Sequence, residues 1–171
     1  MSIRFGILTI SDRSARGERP DTSGAVLKDF VLSMGWHVVN QAIIPDDREE
    51  IKEAIIDWAD SGTIDVILTT GGTGFSGRDV TPEATLAVID RQAPGMAEAM
   101  RAASLLVTPH AMLSRAVAGL RFRTLIVNLP GSPAGALENL RVISPVLPHA
   151  VDLLREDPRS ESGHQKGTSD A

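Results

Sequence analysis

The sequence predicts an α/β sandwich built on a mostly parallel sheet, and two observations lead there. Short, almost uniformly apolar runs rich in β-formers recur at residues 3–10 (IRFGILTI), 64–70 (IDVILTT) and 124–129 (TLIVNL), as expected of strands buried on both faces. Between them lie stretches with apolar residues at helical spacing, so that strand and helix alternate. A chain of 171 residues suits one domain at about 150 residues each.

Each element has its own signal. After the first strand, residues 11–20 (SDRSARGERP) read as a polar loop. Val26, Leu27, Phe30, Val31 and Met34 then form a helical stripe that stops at Gly35. Residues 36–44 (WHVVNQAII) read as a second strand ended by Pro45. Asp47 and Glu50 resemble a capping box ahead of a helix whose stripe is Ile51, Ile55, Trp58 and Ala59 and which stops at Gly62. The third strand runs straight into Gly71-Gly72-Thr73-Gly74. The next helix starts late: Thr81 is read as its cap, Pro82 as its first residue and Glu83 as a first-turn acid. Pro94-Gly95-Met96 opens another helix to about Ala103, and residues 109–115 fit no single pattern. Residues 116–129 read as a short strand, a turn and a longer strand, a hairpin that puts one antiparallel strand into the sheet. Helical residues 134–154 are interrupted near Pro145 and Pro148. This gives a domain over residues 1–155 and a polar C-terminal tail over 156–171.

Composition narrows the function. The net charge is −5 and aromatic residues are 4%, with no Tyr, which argues against a nucleic-acid partner. An anionic substrate needs local positive groups or a metal. Without Cys there is no thiolate nucleophile or cysteine-held metal, and the expected location is the cytoplasm. No apolar run approaches the ~20 residues of a membrane span, so no membrane partner is expected. His37, His110, His149 and His164 do not lie at metal-ligand spacing, and no G-x-S-x-G elbow is present.

Ligands of parallel sheets bind beyond the carboxyl ends of the strands, which nominates the loops at residues 11–20, 45–47, 71–81 and 130–133. The richest is the third. Gly71, Gly72 and Gly74 let backbone N–H groups cradle an anion, with hydroxyls from Thr70 and Thr73. Gly72 to Gly77 formally fits G-x-G-x-x-G, but the helix starts too late for a dinucleotide site. Arg78-Asp79 also stands where a P-loop needs Lys-Ser/Thr. Asp46 and Asp79 each follow a strand beside such a loop, and paired carboxylates near phosphates hold Mg²⁺. Taken alone, Asp46 also reads as a helix cap, and Asp79 as a partner for Arg78. Ser11 and Asp12 stand at the end of the first strand. Ser14, Arg16 and Arg19 read as solvated loop residues, each also a candidate donor. Ser114 and Arg115 offer a hydroxyl and a guanidinium, or a helix surface. The turn Asn128-Leu129-Pro130-Gly131-Ser132-Pro133 offers backbone groups to a nucleotide, or only rigidity.

In this order, the segments Ile10-Ser11-Asp12, Asp21-Thr22-Ser23-Gly24, Ile44-Pro45-Asp46, Thr69-Thr70-Gly71-Gly72-Thr73-Gly74, Arg78-Asp79-Val80-Thr81-Pro82-Glu83-Ala84-Thr85, Pro94-Gly95-Met96, Leu113-Ser114-Arg115-Ala116-Val117-Ala118-Gly119 and Asn128-Leu129-Pro130-Gly131-Ser132-Pro133 resemble the MoaB/Mog family of molybdenum cofactor biosynthesis. The resemblance covers residues 3 to about 154. It implies a three-layer α/β/α sandwich that assembles as a homotrimer, with hexamers among some members. The implied reaction joins molybdopterin to Mg-ATP, giving adenylyl-molybdopterin and pyrophosphate, with a molybdenum-insertion enzyme as downstream partner. Asp46 and Asp79 match the family acids tied to catalysis and Mg²⁺. Gly71, Gly72, Thr73 and Gly74 match the phosphate loop, and Thr81 and Glu83 the wall of that pocket. Ser114, Arg115, Asn128, Pro130, Gly131 and Ser132 match substrate-pocket segments. Some MoaB-type members lack Asp-Val-Thr-Pro-Glu, which this chain keeps. The alternative implied by the family is a molybdopterin-binding protein without turnover.

Overall fold

The computed structural model describes residues 2–156. The segment expected as a polar tail lies, apart from Glu156, outside the described residues. In chain order the elements are β1 (Arg4–Ile10), α1 (Asp12–Ala15), α2 (Thr22–Ser33), β2 (His37–Ile44), α3 (Arg48–Asp60), β3 (Val66–Thr70), α4 (Thr81–Leu86), β4 (Arg91–Gln92), α5 (Pro94–Leu105), a 3-10 turn (Pro109–Leu113), β5 (Ala118–Arg121), β6 (Thr124–Leu129), α6 (Pro133–Ile143), a second 3-10 turn (Ser144–Val146) and α7 (Leu147–Leu154).

One sheet runs in the order β2-β1-β3-β6-β5-β4. β2, β1, β3 and β6 are parallel to their neighbours. β5 is antiparallel to both β6 and β4, so among the described residues β5 is the single reversed strand, as the hairpin signal predicts. Alternation along the strands divides the core into two layers. Phe5, Ile7, Val66, Leu68, Leu125, Val127 and Leu129 face α2, α5, α6 and α7. Leu8, Ile10, Ile67 and Ile126 face α3 and α4. The result is the three-layer α/β/α sandwich. Because both faces are covered, the central strands carry no polar face, and that is why they read as continuous apolar runs.

Gly6 sits on the α3 side, where an added Cβ would lie 2.7 Å from the Trp58 ring. The missing side chain is what lets α3 approach the sheet. At the amino ends of the strands Asp65 is buried and receives hydrogen bonds from the Arg4 amide, the Arg4 guanidinium and the Arg155 guanidinium. Burial opposes its ionisation, but these donors outweigh it and hold the carboxyl below the ordinary range. The pair of arginines ties the end of α7 back to β1 and β3.

Four local readings change. The loop at residues 11–20 contains α1, whose first turn is capped by Ser11 Oγ accepting from the Ser14 amide. Thr81 is not the cap of α4: Val80 holds that position without a side-chain bond, and Pro82 is the second helical residue. β4 went unpredicted because two exposed polar residues, Arg91 and Gln92, carry no periodic signal. The stretch that fits no pattern at residues 109–115 contains the first 3-10 turn.

Candidate functional site

The chain order reverses between β1 and β3, the switch point at which open α/β sheets bind ligands. A cavity of about 420 Å³ opens there, at the carboxyl ends of β1, β2, β3 and β6. All four nominated loops reach it: Ser11, Asp46, Gly71, Gly72, Asp79, Gly131 and Ser132 line its wall. So do Thr9, Arg19, Asp21, Thr22, Ser23 and Thr70.

Three strand ends are laced together by acids. The Asp12 amide donates to Asp46 Oδ2 (2.9 Å), and the Asp46 amide donates to Asp12 Oδ1 (3.0 Å). Arg78 grips both oxygens of Asp12 through Nε and Nη2, at 2.8 to 3.1 Å. The Arg78–Asp79 partnership open to sequence reading does not form. Arg78 is committed to Asp12, while Asp79 Oδ2 accepts from the Ser76 amide at 3.0 Å. Burial raises the Asp46 carboxyl above its ordinary range, and the charges of Asp12 and Asp79 add to the rise. Asp12 moves the other way, lowered first by the Asp46 amide and then by Arg78. Asp46 does not cap α3; Asp47 does, accepting from the Glu49 and Glu50 amides.

The glycine loop has a conformational reason for its composition. Gly71 (φ +105°) and Gly72 (φ +64°) occupy the region that side chains disfavour. A Cβ on Gly71 would lie 2.2 Å from the Ile10 carbonyl oxygen, and one on Gly72 2.4 Å from Thr81 Oγ1 and 3.2 Å from Asp46 Oδ1. A larger residue at Gly72 would therefore break the loop's own packing before it filled any ligand space. The Thr81 hydroxyl donates to the Gly71 carbonyl at 2.9 Å, and the Thr70 hydroxyl to the Pro130 carbonyl at 2.7 Å. The glycine loop and the Pro130–Ser132 turn are thus fastened to each other.

Other candidates stand behind this wall. Arg115 donates to the carbonyls of Gly74 (2.7 Å) and Asp79 (2.6 Å) and pairs with Glu83. It clasps both ends of the 74–79 segment instead of facing the cavity. Burial opposes ionisation of Glu83, but Arg115 prevails and holds its carboxyl below the ordinary range. Thr81 is fully buried. Asn128 is also fully buried, donating to the hydroxyls of Thr69 and Thr85 (2.9 Å each), so it joins β6 to β3 and α4 and lies outside the cavity. Thr73, Gly74, Ser114, Pro130 and Ser132 line a second, adjoining cavity of about 270 Å³, together with Leu113 and Ala111. Ser132 borders both cavities.

Sequence reading used Asp21, Thr22 and Ser23 only as family landmarks. Asp21 caps α2, accepting from the Gly24 amide at 2.8 Å and from the Thr9 hydroxyl at 2.8 Å. The signal was an Asp three residues ahead of a small helical residue, directly after a strand-end loop.

Among the described residues no group of three or more metal-ligating side chains is assembled. Asp46 and Asp79 nevertheless fit Mg²⁺. Each keeps one carboxylate oxygen, Oδ1, without a hydrogen bond to the described residues, both line the cavity, and Mg²⁺ usually takes one or two carboxylates plus substrate phosphates and water.

The raised Asp46 pKa has a consequence for stability. A carboxyl whose folded pKa lies above its unfolded value favours folding in its protonated form. Its ionisation therefore costs stability as pH rises through the folded value. Asp46→Asn should raise the melting temperature of the ligand-free protein at pH 7. The gain should shrink as pH falls below the raised Asp46 value. A lower melting temperature at pH 7 contradicts this reading.

Residues 6–149 match the family model described as "Probable molybdopterin binding domain". The chain is 40% identical over 158 residues to a molybdopterin adenylyltransferase of Helicobacter pylori, covering 90% of this chain and 88% of that protein. It is 42% identical over 165 residues to gephyrin of Dictyostelium discoideum, covering 91% of this chain but only 23% of that longer protein. The crystal structure of the molybdopterin biosynthesis enzyme MoaB from Thermus thermophilus superposes with a TM-score of 0.85 at 49% identity, covering 91% of this chain and 98% of that one. The fold, the sequence match and the coverage agree, and the chain belongs to this molybdopterin binding domain family.

Proposed function

We propose that the protein is a molybdopterin adenylyltransferase of molybdenum cofactor biosynthesis, using Mg-ATP as co-substrate. The observation that carries this reading is the pairing of Asp46 and Asp79 in one cavity with the Gly71-Gly72 backbone, in a family whose relatives include enzymes of that name. A phosphate oxygen of molybdopterin attacks the α-phosphorus of ATP. The new P–O bond forms as the bond to the bridging oxygen breaks, and that electron pair leaves with pyrophosphate. The attacking phosphate is already an anion, so no protein nucleophile and no general base is required.

The chain's own work is positioning and charge control. The Gly71 amide donates to the Leu129 carbonyl at 3.2 Å, so the backbone donor this loop offers the cavity is the Gly72 amide, without side-chain bulk. Asp46 and Asp79 would hold Mg²⁺ through their unengaged oxygens. When bound there, the ion supplies neutralisation of the phosphate charges gathered at the α-phosphorus. Arg115, by holding the Gly74 and Asp79 carbonyls, fixes the segment that carries Asp79. The polar cavity suits phosphates, and the adjoining cavity lined by Leu113, Ala111 and Pro130 suits an organic ring.

The same reading includes a homotrimer in the cytoplasm and a molybdenum-insertion enzyme that consumes the product. Leu106 and Met112, 90% and 68% exposed, supply apolar surface of the kind an assembly covers. Light scattering at micromolar concentration should return about three times the 18.2 kDa chain mass. A monomer mass contradicts the trimer.

Asp79→Asn should lower adenylylation at saturating Mg-ATP by two orders of magnitude or more, roughly 3 kcal/mol of barrier, while molybdopterin binding by direct titration persists. Asn keeps the acceptor for the Ser76 amide but loses the charge that holds the ion. Turnover like that of the wild type would remove Asp79 from the mechanism and favour the binding protein without turnover.

A further inference from the structure

The cavity wall has an uneven charge. Among the described residues three carboxylates line it, from Asp21, Asp46 and Asp79, against a single cationic residue, Arg19. Neighbouring arginines are already engaged: Arg16 with Glu18, Arg78 with Asp12, Arg115 with Glu83. Arg19 makes no hydrogen bond or ion pair among the described residues.

Its backbone, by contrast, is held on both sides. Upstream, the Gly17 amide donates to the Ser14 carbonyl (3.0 Å) and the Glu18 amide to the Arg13 carbonyl (2.9 Å). Downstream, Pro20 restricts Arg19 to extended conformations, and Asp21 is anchored to Thr9 and Gly24. An ordered loop thus sets Arg19, exposed and unpaired among the described residues, on the wall of a cavity rich in acids. Three carboxylates would repel a polyphosphate in the absence of counter-charge, and a guanidinium offers a fork that matches phosphate oxygens.

We propose that Arg19 is a substrate-binding residue that donates to a phosphate group of a substrate seated in this cavity. The proposal rests on the adenylylation reading for the identity of the substrate, and on the cavity's own charge pattern for the phosphate chemistry. ATP and molybdopterin both carry phosphate, and separate kinetic arms identify which one Arg19 meets.

The test uses the full chain with Arg19→Ala and Arg19→Lys. Arg19 has no partner among the described residues to lose, so both variants should melt with the wild type. In Arg19→Ala the KM for either Mg-ATP or molybdopterin should rise about tenfold, the size of one charge-assisted hydrogen bond, with kcat within about twofold. The substrate whose KM rises is the one contacted. Arg19→Lys should fall between, keeping charge but not the fork. Calorimetric binding of inorganic pyrophosphate to the same proteins gives a readout without turnover, and its affinity should fall by a similar factor in Arg19→Ala. Unchanged KM values and unchanged pyrophosphate affinity overturn the proposal, as does a wild-type protein that binds no pyrophosphate. A wild type that binds pyrophosphate in an Arg19-dependent way but releases none from ATP sinks the adenylylation reading and leaves the phosphate contact standing.

Discussion

The arrangement of the cavity depends on the reciprocal hydrogen bonds between Asp12 and Asp46. Each side chain accepts from the other's backbone amide, so the segments after β1 and β2 hold a fixed distance. Arg78 then reaches across to Asp12, which draws the long loop after β3 over the same opening. Asp79 is the next residue along and is carried with it into the cavity wall. One chain of contacts, Arg78 to Asp12 to Asp46, therefore joins three strand ends and brings two acids that lie 33 positions apart in sequence into one cavity.

That arrangement crowds like charges. Asp12 is relieved by Arg78, but Asp46 is half-buried, forms no ion pair among the described residues and faces two acids, hence its raised pKa. Like charges gathered in a cleft are unfavourable for an empty site and favourable for one that takes a cation. The surrounding structure resists the repulsion. The glycine loop is fastened to the Pro130–Ser132 turn through Thr70, and Arg115 clasps the 74–79 segment from behind. At the opposite end of the strands Asp65, with its two arginines, is the contrasting case of an acid whose charge is fully answered.

Much of this was legible in the sequence. Central strands covered on both faces write themselves as apolar runs, so β1, β3 and β6 were plain, and the loops at their carboxyl ends followed from the topology. Gly71 and Gly72 were legible as a loop needing unusual backbone, although the obstruction lies at Ile10 and Thr81 and not in ligand space. What escaped were long-range pairings. Nothing local says that Arg78 chooses Asp12, 66 positions away, over its neighbour Asp79. Nothing local says that Asn128 and Arg115 turn inward to fasten strands and loops instead of meeting a ligand. Arg19 reads locally as a solvated loop residue and a candidate donor, and Asp21 only as a family landmark, because the cavity they line is completed by other segments.

The roles of the glycine loop and of the two acids are tested most directly by a crystal structure of the protein soaked with Mg²⁺ and a non-hydrolysable ATP analogue. The phosphates are expected within the cavity beside Gly71 and Gly72, with a metal ion held by the Asp46 and Asp79 carboxylates. Phosphates bound elsewhere, or a metal ion that touches neither carboxylate, would contradict these roles.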